Sequence, residues 1–190
     1  GPQRTTEAMT TLASFVTAVM PRTAGFNAVD LAAMQPESLV LTDLLMFIGG
    51  GSAGTAGGMK VTTLGVLLFA VAAELRGQPD VVIGRRRISA ETQRQALSVT
   101  VLGTAAVALA TTAMLALTDL EFETAAFEVV SAFGTVGLSL GVTASLPDAA
   151  LYLLVLLMFA GRLGPLTFAS ALAARDKVRL HRRPEERMPI

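Results

Sequence analysis

Cysteine is absent from the 190-residue chain, which excludes disulfides and thiolate metal sites. Histidine occurs once, as His181, so no histidine metal cluster can form. Charge is sparse: 16% of residues are charged, against about 25% in soluble domains. Fifteen basic and fifteen acidic side chains cancel, so the net balance names no partner and offers no basic excess for nucleic acid. No arrangement of nucleophile and base suggests covalent chemistry, and an enzyme is not expected.

What is present is apolar. Hydrophobic residues make up 52% of the chain and mean hydropathy is +0.58, which points to a membrane protein. Two short stretches organise it, Arg22-Thr23-Ala24-Gly25-Phe26-Asn27 and Gly134-Thr135-Val136-Gly137-Leu138-Ser139. Each follows a short helix-like run and precedes a longer apolar one. Thr-x-Gly can line its carbonyls along an axis, because glycine admits the positive φ this needs. Rings of such carbonyls replace the water shell of potassium. Both stretches therefore read as selectivity-filter loops, with Thr23, Ala24, Gly25, Phe26, Thr135, Val136, Gly137 and Leu138 presenting carbonyls to a cation.

The two stretches sit 112 positions apart. At that offset Ala13, Phe15, Thr23, Gly25 and Ala32 recur, as do Leu39, Leu41, Leu44, Leu45, Met46, Phe47, Gly49 and Thr55. These are 13 identities in the 48 positions 13–60, where composition alone gives roughly 4. An offset this long marks duplicated units rather than a stacked solenoid.

In chain order, residues 4–20 read as a short re-entrant helix. They are too few to cross a bilayer, which takes about 20 residues. The negative end of such a helix would favour a cation at the filter. Residues 30–37 read as loop. An apolar helix over 38–48 stops at Gly49-Gly50-Gly51-Ser52-Ala53-Gly54-Thr55-Ala56-Gly57-Gly58, and another runs over 59–75. Neither half spans alone, so together they read as a glycine-broken membrane helix. Non-helical backbone at membrane depth persists only against a cavity or protein, so the break is expected to face the pore. Residues 76–95 read as a basic connector. A spanning helix follows over 96–118, a second short helix over 124–133, a last span over 149–174, and a basic tail over 175–190.

Gly49-Gly50-Gly51-Ser52-Ala53-Gly54 also fits the dinucleotide fingerprint G-x-G-x-x-G, with Glu74 twenty residues beyond. The following helix is apolar on every face, however, and no strand–helix alternation succeeds it. A secondary transporter binding a small solute at the broken helix is a further alternative.

Charge placement gives a topology. Connector and tail hold most of the basic residues. The filter-bearing segments hold Arg4 and Arg22 against nine acids: Glu7, Asp30, Glu37, Asp43, Asp119, Glu121, Glu123, Glu128 and Asp148. Connector and tail are expected in the cytoplasm and the filters facing outward. The outer acids would concentrate cations at the mouth.

With this pattern the chain resembles the Trk/Ktr family of potassium transporters. The likeness rests on residues 22–27, on Gly49 to Gly58 with Met59-Lys60-Val61-Thr62, and on Phe159-Ala160-Gly161-Arg162-Leu163-Gly164-Pro165. It implies an all-α membrane protein of helix–pore-loop–helix repeats of potassium-channel type. Residues 1–75 would be the third repeat without its first helix, 76–95 a cytoplasmic connector, 96–174 the fourth repeat and 175–190 a cytoplasmic tail. The missing N-terminal half of the pore would supply two more repeats. The implied setting is the cell membrane, as a homodimer of complete subunits with a cytoplasmic nucleotide-binding regulatory subunit. No cofactor is implied; potassium is the transported ion. Gly49, Gly50, Gly51, Ser52, Gly54, Thr55, Gly57 and Gly58 would form the gating loop, with Lys60 at the cytoplasmic exit. Arg162 resembles the family's pore-facing arginine, and its repeat equivalent is Gly50. An arginine inside an apolar span is costly unless it serves a pathway.

Overall fold

The computed structural model describes residues 15, 19–21, 24, 25, 31, 34–50, 57–78, 80–84 and 86–173. These are mostly helical, in keeping with an all-α membrane protein. Helix α1 is Pro36–Phe47 and α2 is Val61–Leu75. A two-stranded hairpin follows, β1 Val82–Ile83 against β2 Arg86–Arg87. Then come α3 Ala90–Leu117, α4 Phe122–Gly134, a 3₁₀ turn at Thr143–Ser145 and α5 Asp148–Ala173.

Local chemistry sets the starts. Pro36 opens α1, where its missing N–H is one that the first turn leaves unpaired anyway. The Ser89 hydroxyl accepts the Thr92 N–H at 3.2 Å, and Glu91 sits in the first turn of α3. That cap makes residues 90–95 helical, where the sequence suggests connector. The hairpin is a second difference. Gly84, at φ +62°, supplies its turn, and Arg87 pairs with Asp80 at 2.7 Å. The pattern there is too short to signal a strand.

Helix α4 is the centre of the fold. Ala125 and residues 127–134 are all buried. A helix buried on every side is a core helix, and 13 residues at 1.5 Å each span only about 20 Å. One face packs with Ala110 and Met114 of α3 and with Ala150, Leu154 and Leu157 of α5. The other packs with Leu31, Met46 of α1, Val136 and Leu138. The outer helices keep large apolar side chains uncovered. Leu109 is 72% exposed, Phe159 68% and Tyr152 75%. A surface of this kind suits lipid or further protein rather than water. Among the described residues one helix, α3, is long and apolar enough to cross a membrane. Its 28 residues reach about 42 Å, more than the ~30 Å hydrocarbon core.

Two pairs of backbone features lie 112 residues apart. Helices α1 and α5 begin at Pro36 and Asp148, and Gly25 and Gly137 both have positive φ, +65° and +89°.

Candidate functional site

Helix α4 ends in a bend made by its own last turn. The Thr135 N–H donates to the Ala132 carbonyl at 3.0 Å and the Val136 N–H to Ser131 at 2.9 Å. Thr135 takes the left-handed conformation, φ +53°, which is uncommon for a β-branched residue. Its hydroxyl has a use there: it accepts the Gly57 N–H at 3.1 Å. Gly137, at φ +89°, then turns the chain outward and is exposed. Leu138 returns toward α4, where its carbonyl accepts the Ser131 hydroxyl at 2.6 Å. One of its two lone pairs is thereby committed to the protein.

The first Thr-x-Gly stretch meets the second. Ala24 and Gly25 donate to the Met20 carbonyl at 3.2 and 3.4 Å. A Cβ on Gly25 would overlap the Val136 carbonyl oxygen, so the two bends touch at a point where only glycine fits. Thr23 and Phe26 lie outside the described residues, as does most of the re-entrant helix expected over 4–20.

The glycine stretch has both ends at the foot of this bend. Ile48 and Met59 pair as one parallel bridge, and the Met59 N–H donates to Phe47 at 3.1 Å. The Val61 N–H reaches the Gly50 carbonyl at 3.4 Å. The break is therefore closed at its base, α1 and α2 leaving from adjoining points. Gly51, Ser52, Gly54 and Thr55 lie outside the described residues. Gly57 faces Thr135: an added Cβ would stand 2.7 Å from the hydroxyl and 3.0 Å from the Gly134 carbonyl. Gly58 donates to the Gly161 carbonyl at 3.3 Å, one residue before Arg162. Arg162 is exposed on α5, and Lys60 is the half-buried N-cap of α2.

Two glycines permit this closeness. Gly161 of α5 lies against the Phe133 carbonyl, and Gly134 against the Met46 carbonyl of α1. The end of α4 is gripped from both sides, with the Phe47 and Phe133 rings stacked 6.0 Å apart beside it.

The family model for TrkH, cation transport protein, matches residues 3–178. The chain belongs to the TrkH family. Ktr system potassium uptake protein B of Bacillus subtilis is 45% identical to it over 165 residues, covering 87% of this chain and 37% of the relative. The protein of the same name from Vibrio alginolyticus is 38% identical over 175 residues, 92% of this chain and 38% of that one. Potassium/sodium uptake protein NtpJ of Enterococcus hirae is 38% identical over 169 residues, 85% of this chain and 37% of its own. The chain thus spans less than two fifths of the length of these relatives.

In this TrkH-family chain one acid lies where the sequence does not lead one to look. Charge counting places Glu128 among the outer-mouth acids. It is instead 4% exposed, inside the molecule. Its Oε1 accepts the Ser139 hydroxyl at 2.5 Å and the Leu140 N–H at 3.0 Å, and its Oε2 accepts the Thr143 hydroxyl at 3.0 Å. Ser131, Ser139 and Thr143 also escaped notice. The available signal was Glu128 and Ser131 at i and i+3 on one face of the otherwise apolar run 125–134.

Proposed function

We propose that this chain forms part of the potassium path of a TrkH-family uptake protein in the cell membrane. The observation that carries this is the meeting of the two Thr-x-Gly bends at Gly25 and Val136, next to Gly57 at the far end of the glycine stretch. Thr23 to Phe26 and Thr135 to Leu138 are the filter segments, within helix–pore-loop–helix repeats. Carbonyls of Thr135, Val136 and Gly137 are the most available ligands of the second segment, since that of Leu138 is partly engaged by Ser131. The loop 49–58 and Arg162 form the gate beneath. Gly57 ties that loop to Thr135 and Gly58 ties it to Gly161, so a movement of the loop reaches both filter and arginine.

The uncovered apolar faces of α2, α3 and α5 support contact with lipid and with the two further repeats that the longer relatives have room for. Complete subunits would pair as a homodimer and dock a cytoplasmic nucleotide-binding regulatory subunit. Filters face outward, with the hairpin connector and the basic tail in the cytoplasm. No covalent step is involved, and the work is dehydration and passage of a monovalent cation.

The test is K⁺ and Na⁺ uptake by a transporter of full family length carrying Gly137→Ser in this segment. No heavy atom lies within 4 Å of a Cβ at Gly137, so the change acts through its φ of +89° and not through a clash. Serine there is strained by about 1 kcal/mol or more, so K⁺/Na⁺ discrimination is expected to fall roughly tenfold. An unchanged ratio in folded protein removes the filter assignment.

A further inference from the structure

We propose that Glu128 is a positioning residue: its buried carboxylate fixes the outward end of the second filter segment and so sets its ion selectivity. This rests on the filter reading of residues 135–138. A carboxylate only accepts hydrogen bonds, and here it receives three, from one backbone N–H and two hydroxyls. A polar group this deeply buried persists only when satisfied in that way. Its donors span Ser139 to Thr143, the stretch by which the chain leaves the bend. Ser139 ties that stretch together further: its Oγ accepts the Gly141 N–H at 3.0 Å and lies 2.8 Å from Thr143 Oγ1.

The mechanism is a two-point clamp on one face of α4. Ser131 holds both sides of Gly137, accepting the Val136 N–H at its carbonyl and donating to the Leu138 carbonyl. Glu128, one turn earlier, holds Leu140 and the two hydroxyls. Between these anchors Gly137 is exposed, with open space around it. A side chain there would meet nothing, so the anchors on either side fix the direction of the Val136 and Gly137 carbonyls. Glu128 touches no ion. It acts through the backbone it holds.

The experiment measures KM and maximal rate for K⁺ and Na⁺ uptake in the full-length transporter carrying this segment. The variants are Glu128→Ala, Glu128→Gln, the pair Ser139→Ala with Thr143→Val, and Gly137→Ser as the filter control. Glutamine keeps one oxygen for Ser139 and Leu140, and its amide can donate to Thr143. Glu128→Ala is expected to lower the K⁺/Na⁺ ratio about tenfold, with glutamine restoring it to within about threefold of the parent. An equal loss in both variants makes Glu128 a field charge and overturns positioning. A parental ratio in Glu128→Ala, with the ratio lost in Gly137→Ser, overturns positioning and leaves the filter standing. Parental ratios in both remove the two together. If Glu128→Ala yields no folded protein, the hydroxyl pair decides: a lowered ratio supports the clamp, and a parental ratio refutes it.

Discussion

Replacing Gly161 with alanine would press a methyl group onto the backbone of α4. The new Cβ would overlap the Phe133 oxygen and stand 2.9 Å from its carbonyl carbon and 3.3 Å from its Cα. All three atoms are main chain, so no flexible side chain can give way. The oxygen must retreat by roughly 1.5 Å before the contact becomes ordinary. That oxygen belongs to the last turn of α4, which Gly134 also holds against the Met46 carbonyl. Retreat on one side therefore drives α4 into α1 on the other, and interiors at crystal-like density do not absorb such a shift. The penalty falls at the top of the overpacking range, about 3 kcal/mol, or roughly 150-fold in the ratio of folded to unfolded protein. Gly65 in α2 is the internal comparison. No heavy atom lies within 4 Å of a Cβ there, so Gly65→Ala is expected to be neutral or to gain about 0.5–1 kcal/mol of helix propensity. Thermal melts of both variants in detergent, followed by gel filtration, give the readout. Equal melting of Gly161→Ala and Gly65→Ala would refute the tight crossing of α4 and α5.

Two further outcomes follow from the same contacts. Thr135→Val keeps the branched shape but leaves the buried Gly57 N–H without its acceptor, which costs about 1–3 kcal/mol of local stability. Amide exchange over residues 57–59 should then quicken by roughly tenfold to a hundredfold, and unchanged protection would show that the bond does not hold the loop. Arg162→Ala in the full-length transporter should raise K⁺ flux. A unit charge ~10 Å from a cation at an effective dielectric of ~20 opposes it by ~1.7 kcal/mol, about fifteenfold in rate. Flux at or below the parent's would count against a blocking arginine.

Part of the local backbone was legible in the sequence. Thr23-x-Gly25 and Thr135-x-Gly137 stand out because glycine and a repeated spacing are local features, and both glycines take a positive φ. The residues around Glu128 were not legible. An acid in a thirteen-residue helix looks like a surface charge until the neighbouring elements are placed, and Ser139 and Thr143 look like ordinary loop residues. Asp43 lies inside α1, where the sequence also expects a helix, but the burial of its Oδ1, unpartnered among the described residues, was not legible.

The sequence by itself determined the apolar, helical class of the protein and the places where helices must stop. Both follow from composition, periodicity and the conformational limits of glycine and proline, which act over a few residues, while the family rested on the likeness of whole motifs. Only the tertiary structure decided what those stops meet. It closed the glycine stretch at its base, set Gly57 against Thr135 and Gly161 against Phe133, and drew Glu128 inside to hold the chain beyond Gly137. Those contacts join residues from 11 to 78 positions apart, and 78 separates Gly57 from Thr135. Pairings at such separations depend on which helix faces come together, a property of the packed whole that no local pattern specifies.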